Sequence, residues 1–85
     1  MQLLLNLMEH FFSLPVQFKG EALSFPARLI TFGHSFKFYV MVDKTELTFE
    51  KDDEGQYRVL REGTGPEMDR ALLEAIILSL EDIQR

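Results

Sequence analysis

The sequence predicts an α+β fold in which a five-stranded antiparallel meander carries an N-terminal and a C-terminal helix on one face, in the order α-β-β-β-β-β-α. Three observations predict it. Apolar residues recur with helical spacing over 1–13 and 65–84 but alternate with a period of two over 15–61. Turn signals built on Gly, Asp and Lys divide the alternating region into five short runs. The lengths of those turns place the apolar residues of all five runs on a single face.

In residues 1–13 the polar side chains Gln2, Asn6, Glu9 and Ser13 fall on one helical stripe, and Leu3, Leu4, Leu5, Leu7, Met8, Phe11 and Phe12 cover the rest. A helix apolar nearly all round must be buried on more than one side. Leu14 precedes Pro15 and is pushed to extended geometry, which ends the helix. The segment has no basic n-region and no small-residue cleavage site, and its apolar part is too short to span a bilayer. Neither a signal peptide nor a membrane anchor is expected.

The five runs carry Val16 and Phe18; Leu23, Phe25, Ala27 and Leu29; Phe36, Phe38, Val40 and Val42; Leu47 and Phe49; and Tyr57 and Val59. A two-residue turn at Lys19-Gly20 sets Val16 opposite Leu23. One at Gly33-His34, with Gly at the positive-φ position of a type II′ turn, sets Leu29 opposite Phe38 and Ala27 opposite Val40. A third at Asp43-Lys44 sets Val40 opposite Leu47 and Phe38 opposite Phe49. The last loop needs an odd number of residues, and Asp53-Glu54-Gly55 with a left-handed Gly sets Phe49 opposite Val59. One conflict stands: Pro26 falls where strand two should donate an N–H to strand three near Met41, and it has none to give. A bulge or bend at Phe25-Pro26, an end of regular pairing there, or a wider loop around Phe32 to Ser35 would resolve it.

The final helix is announced by Thr64-Gly65-Pro66-Glu67, where either Pro66 is the first helical residue or Thr64 and Glu67 form a capping box. Met68, Leu72, Ala75, Ile76, Ser79 and Ile83 make its core stripe, and Leu73, Ile77 and Leu80 extend that stripe to a second side.

All this fits one domain spanning residues 1–85, since 85 residues leave no room for a second core. Nine basic against fourteen acidic residues give a net charge of −5, which disfavours a partner held by its phosphates, so no nucleic acid is expected. There is no cysteine, hence no disulfide framework or thiolate chemistry. The acidic run at Glu50, Asp52, Asp53 and Glu54 lacks the order of a calcium loop, and the single glycines form no phosphate-binding motif. Two histidines, His10 and His34, have no Ser or acid partner at a spacing that local structure would bring together. No catalytic residue, metal ligand or cofactor site is expected, and the protein reads as a non-enzymatic one.

Two surfaces remain. Leu5, Met8 and Phe12 on the first helix and Leu73 and Ile77 on the last carry surplus apolar area, which a homodimer through the helix layer would cover. On the outer sheet face Arg28 falls opposite Tyr39, with Pro26, Met41 and Ile30 nearby, making a mixed apolar and basic patch for a protein partner. Lys37, Glu50 and Arg58 form a charge row on the same face. Strand five is expected to be an edge guarded by Arg58, Arg61 and Glu62. The functional expectation is a protein-interaction or self-associating module. The alternative is an apolar-ligand binder or small enzyme using a cavity against the Phe-rich inner face. A nucleic-acid mimic rests on the net charge alone.

The stretches Pro15-Val16-Gln17-Phe18-Lys19-Gly20, Leu23-Ser24-Phe25-Pro26-Ala27-Arg28 and Phe49 to Leu60 resemble a group of small bacterial proteins of unknown function. The resemblance covers the sheet and the last helix, an antiparallel meander followed by a C-terminal helix, and implies a stand-alone cytoplasmic bacterial protein. It brings no activity or ligand to any residue.

Overall fold

A computed structural model describes residues 7–61 and 69–83. Five strands, β1 (Leu7–Phe18), β2 (Glu21–Phe32), β3 (Ser35–Val42), β4 (Thr45–Lys51) and β5 (Tyr57–Arg61), precede one helix, α1 (Arg70–Ile83). The sheet is an antiparallel meander in the order β1-β2-β3-β4-β5, so β1 and β5 are its edges.

Each turn forms for a local reason. Lys19 and Gly20 both take positive φ, 52° and 79°, which is the type I′ geometry whose twist matches the flanking strands. Gly33, at φ 64°, begins the second turn, and Asp43, at φ 58°, begins the third. Between β4 and β5 the Asp52 N–H donates to the Gln56 carbonyl (2.8 Å) and the Gly55 N–H to the Asp52 carbonyl (3.0 Å), closing a three-residue loop with Gly55 at φ 80°. Asp52 Oδ1 also accepts from the N–H groups of Glu54 and Gln56, each at 2.9 Å. The registers follow as expected: Val16 opposes Leu23, Leu29 opposes Phe38, Ala27 opposes Val40, Val40 opposes Leu47, Phe38 opposes Phe49 and Phe49 opposes Val59.

Pro26 is resolved by an end of pairing. β2 stays continuous and keeps β1 as a partner throughout, with Ser13 opposite Pro26, but its pairing with β3 stops at Ala27 and Val40. Beyond that point Pro26 would have had to donate toward Met41, so the ladder ends where the N–H is missing.

The N-terminal helix is corrected. Residues 7–13 form the first half of β1, paired from Leu7 opposite Phe32 to Phe18 opposite Glu21; residues 1–6 lie outside the described residues. Among the described residues the meander therefore starts with β1 at Leu7, and the order is β-β-β-β-β-α. Two physical reasons favour the strand. A helix of this length is marginal by itself. Continuing the Lys19-Gly20 hairpin gives a partner to the backbone groups that β2 directs away from β3. Pro15, expected to follow a helix end, sits inside an edge strand without breaking it.

The core lies between one sheet face and α1. Leu14, Val16, Phe38, Val40, Val42, Leu47, Phe49, Ile76 and Leu80 are buried in one cluster, with Ala27 and Tyr57 at its margin. Asp69 caps α1: its Oδ1 accepts the Ala71 N–H at 2.9 Å and its carbonyl accepts the Leu73 N–H at 3.0 Å. The starts expected at Thr64 and Pro66 lie outside the described residues, as does Met68. The buried centre of α1 is Ile76 and Leu80, while Ile83 is exposed, a rotation of the expected stripe. Among the described residues no helix is long and apolar enough to cross a membrane.

Candidate functional site

Three surfaces carry the chemistry, and the alternation of the strands assigns each residue to one of them. On the outer face, Arg28 of β2 opposes Tyr39 of β3, as expected, and its guanidinium carbon lies 4.5 Å from the Tyr39 ring centroid. Nη1 donates to Glu9 Oε2 of β1 at 2.8 Å, and Nη2 lies 3.3 Å from Glu46 Oε2 of β4. One side chain thus ties four strands. The Glu9 hydrogen bond, with Glu46 adding to it, holds the guanidinium above the ordinary arginine pKa, while partial burial opposes the shift. Arg28 Nε is buried without a hydrogen-bond partner. With two carboxylates on it, Arg28 offers no spare positive charge. A shallow pocket of about 240 Å³ adjoins it, bounded by Phe11, Pro26, Tyr39 and Met41. Ile30 lies two residues along on the same face, opposite Lys37, and Glu50 opposes Arg58 as the expected charge row requires.

On the inner face, past the C-terminal end of α1, Phe12, Phe38 and Phe36 form an edge-to-face array with centroids 6.2 and 5.8 Å apart. They floor an apolar groove of about 480 Å³, completed by Leu29 and Ile83, with His10, Thr31 and His34 at its rim. The two histidines that sequence spacing left unrelated therefore border one groove. Among the described residues no three His, Cys, Asp or Glu side chains are grouped to hold a metal ion. Elsewhere in the core, burial and then the charge of Glu81 push the Tyr57 hydroxyl up to about 12, so it keeps its proton near neutrality and supplies no phenolate.

The third surface is the outer edge of β1. The residues flanking a two-residue hairpin turn exchange both backbone hydrogen bonds, so Phe18 and every second residue before it bond to β2. Leu7, Glu9, Phe11, Ser13, Pro15 and Gln17 accordingly direct their backbone groups away from the sheet. Pro15 falls on this outward set, where its missing N–H breaks no bond of the fold. Leu7, Met8 and Phe11 are 57, 56 and 74% exposed. The flank of α1 bearing Ala75, Leu78 and Ser79 overhangs the same edge and lines, with Pro15, Val16 and Gln17, a groove of about 520 Å³.

The expected interface residues are redistributed. Met8 and Phe12 are on β1, Met8 near the edge and Phe12 in the inner groove; Leu73 and Ile77 are half-buried on α1 and pack against the core; Leu5 lies outside the described residues. No two-helix layer exists among the described residues to bring them together. Sequence reasoning missed Phe11 and Leu78 as surface residues, and only the strand parity of β1 could have revealed Phe11. Comparison with protein-family models, with curated proteins and with solved structures gives no match.

Proposed function

We propose that this protein is a non-enzymatic interaction module that accepts a protein strand along the free edge of β1. The observation that carries the reading is the contrast between the two edges. β1 spans twelve residues and exposes Leu7, Met8 and Phe11, whereas β5 spans five and exposes Leu60 beside Arg58. Natural sheets shorten and charge the edges they keep free of partners, and β1 is neither short nor charged on its outward side apart from Glu9, which is paired with Arg28. Amide exchange on dilute protein tests this. The outward amides of Glu9, Phe11, Ser13 and Gln17 should exchange quickly and those of His10, Phe12 and Leu14 slowly. Outward amides protected in a species of monomer mass would show the edge already capped, and the reading would be lost.

The inner groove favours a second reading, a small apolar ligand, because its size and aromatic floor suit one. Ring signals of His10 and His34 that stay unmoved on titration with a medium-chain alcohol would count against it.

A further inference from the structure

We infer that the strand received by β1 is β1 of a second copy of this chain, paired antiparallel about a two-fold axis at Phe11. The inference rests on the edge reading above and names its partner. Two copies of a protein of net charge −5 repel each other except where they meet on a neutral surface. The outward residues of β1 come near to such a surface, because they carry one charge, Glu9, and it is paired with Arg28 at 2.8 Å, which Glu46 shares.

The backbone permits the arrangement. Outward residues at odd positions must meet outward residues, and an axis at Phe11 sets Phe11 against Phe11 of the second copy, Ser13 against its Glu9, and Pro15 against its Leu7. Only the two Pro15 positions withhold a donor. The result is an isologous contact that joins two five-stranded sheets into one.

The side chains are covered by the same operation. α1 runs antiparallel to β1, with Ile83 near His10 and Phe12 and Leu78 near Pro15 to Gln17. It therefore leaves Met8 of its own strand bare. Pairing about Phe11 brings Met8 of the second copy, an inner-face residue, opposite Leu14 and toward the groove beside the Leu78 flank of α1, while its Leu7, on the outer face with Phe11, comes opposite Pro15. Each copy's helix caps the strand end that the other leaves uncovered.

The area suffices. Leu7, Met8, Phe11 and Leu78 are 57, 56, 74 and 66% exposed. At roughly 200 Å² for a fully exposed large side chain they offer about 500 Å² per copy, or about 1,000 Å² for the pair, before any backbone is counted. That reaches the lower bound of about 1,000 Å² for a specific interface.

Sedimentation and amide exchange on the full chain over a range of concentrations test the inference. The expected result is a shift from monomer to twice the monomer mass, with the amides of Glu9, Phe11 and Ser13 becoming protected as the dimer forms. Phe11→Lys and, on the helix rather than the strand, Leu78→Lys should each return the monomer mass while far-UV circular dichroism stays native. Leu60→Lys on the opposite edge should leave the dimer intact. A chain that stays monomeric at near-millimolar concentration with fast outward amides overturns the inference but leaves the edge reading standing. Outward amides protected at monomer mass overturn both. A dimer that survives Phe11→Lys, or that is lost in Leu60→Lys, places the contact elsewhere and overturns the inference.

Discussion

Leu14 and Phe11 test the strand assignment of β1 through the energetics of neighbouring side chains. Leu14 is 0% exposed and Phe11 is 74% exposed. Leu14→Ala removes three buried carbons, worth about 2.4 kcal/mol at roughly 0.8 kcal/mol each. The cavity left between the sheet and α1 adds to this, for an expected cost of about 3 kcal/mol. An 85-residue domain has a total stability of only about 4–13 kcal/mol. Melting should therefore drop by roughly 12–24 °C, at about 4–8 °C per kcal/mol. Phe11→Ala, on the solvent side of the same strand, should stay within about 0.5 kcal/mol. Urea unfolding followed by circular dichroism, at low micromolar protein so that self-association does not contribute, measures both. Equal costs for Phe11→Ala and Leu14→Ala, or a Leu14→Ala cost below about 1 kcal/mol, would refute the period-two placement of this segment.

Two further outcomes follow from the turns and the core. Nothing lies within 4 Å of a Cβ added at Gly20, so Gly20→Ala should be destabilising by the left-handed backbone cost alone, about 1–2 kcal/mol. Lys19→Asn, at φ 52°, should raise the unfolding free energy, and with it the urea midpoint, by about a few tenths of a kcal/mol, because Asn tolerates that region better. Tyr57 titrates at about 12 in the fold against an ordinary 10.0, so the unfolded chain releases its proton first. The stabilisation is complete below pH 10 and is lost as pH rises through 12, to a total of at most about 2–3 kcal/mol before solvent screening reduces it. Unfolding free energies measured across that window should fall in the parent protein and fall less in Tyr57→Phe; parallel curves would contradict the burial argument.

The outer-face clamp shows how part of a site can be legible and its meaning not. Alternation alone puts Arg28 opposite Tyr39, and the structure keeps that pair. The carboxylates that absorb its charge come from β1 and β4, and Glu9 reaches Arg28 only because residues 7–13 are a strand. The same event draws His10 and Phe12 to the groove that His34 borders. A helical reading of residues 1–13 places His10 away from His34 and hides the groove.

By itself the sequence determined the five-stranded meander from Val16 to Val59, its registers and the conflict at Pro26, which the structure resolves by ending the ladder. These depend on turn length, parity and the missing N–H of proline, which are local properties of the chain. Only the tertiary structure decided the state of residues 7–13. Their composition satisfies a helical stripe and, in His10, Phe12, Leu14, Val16 and Phe18, also satisfies alternation, but the outward Leu7 and Phe11 obscure the second pattern. What resolves the tie is a neighbour: β2 presents unpaired backbone groups that a strand can satisfy and a helix cannot. Among the described residues that choice leaves one helix instead of two and moves the surplus apolar surface from a helix layer to the edge of a sheet.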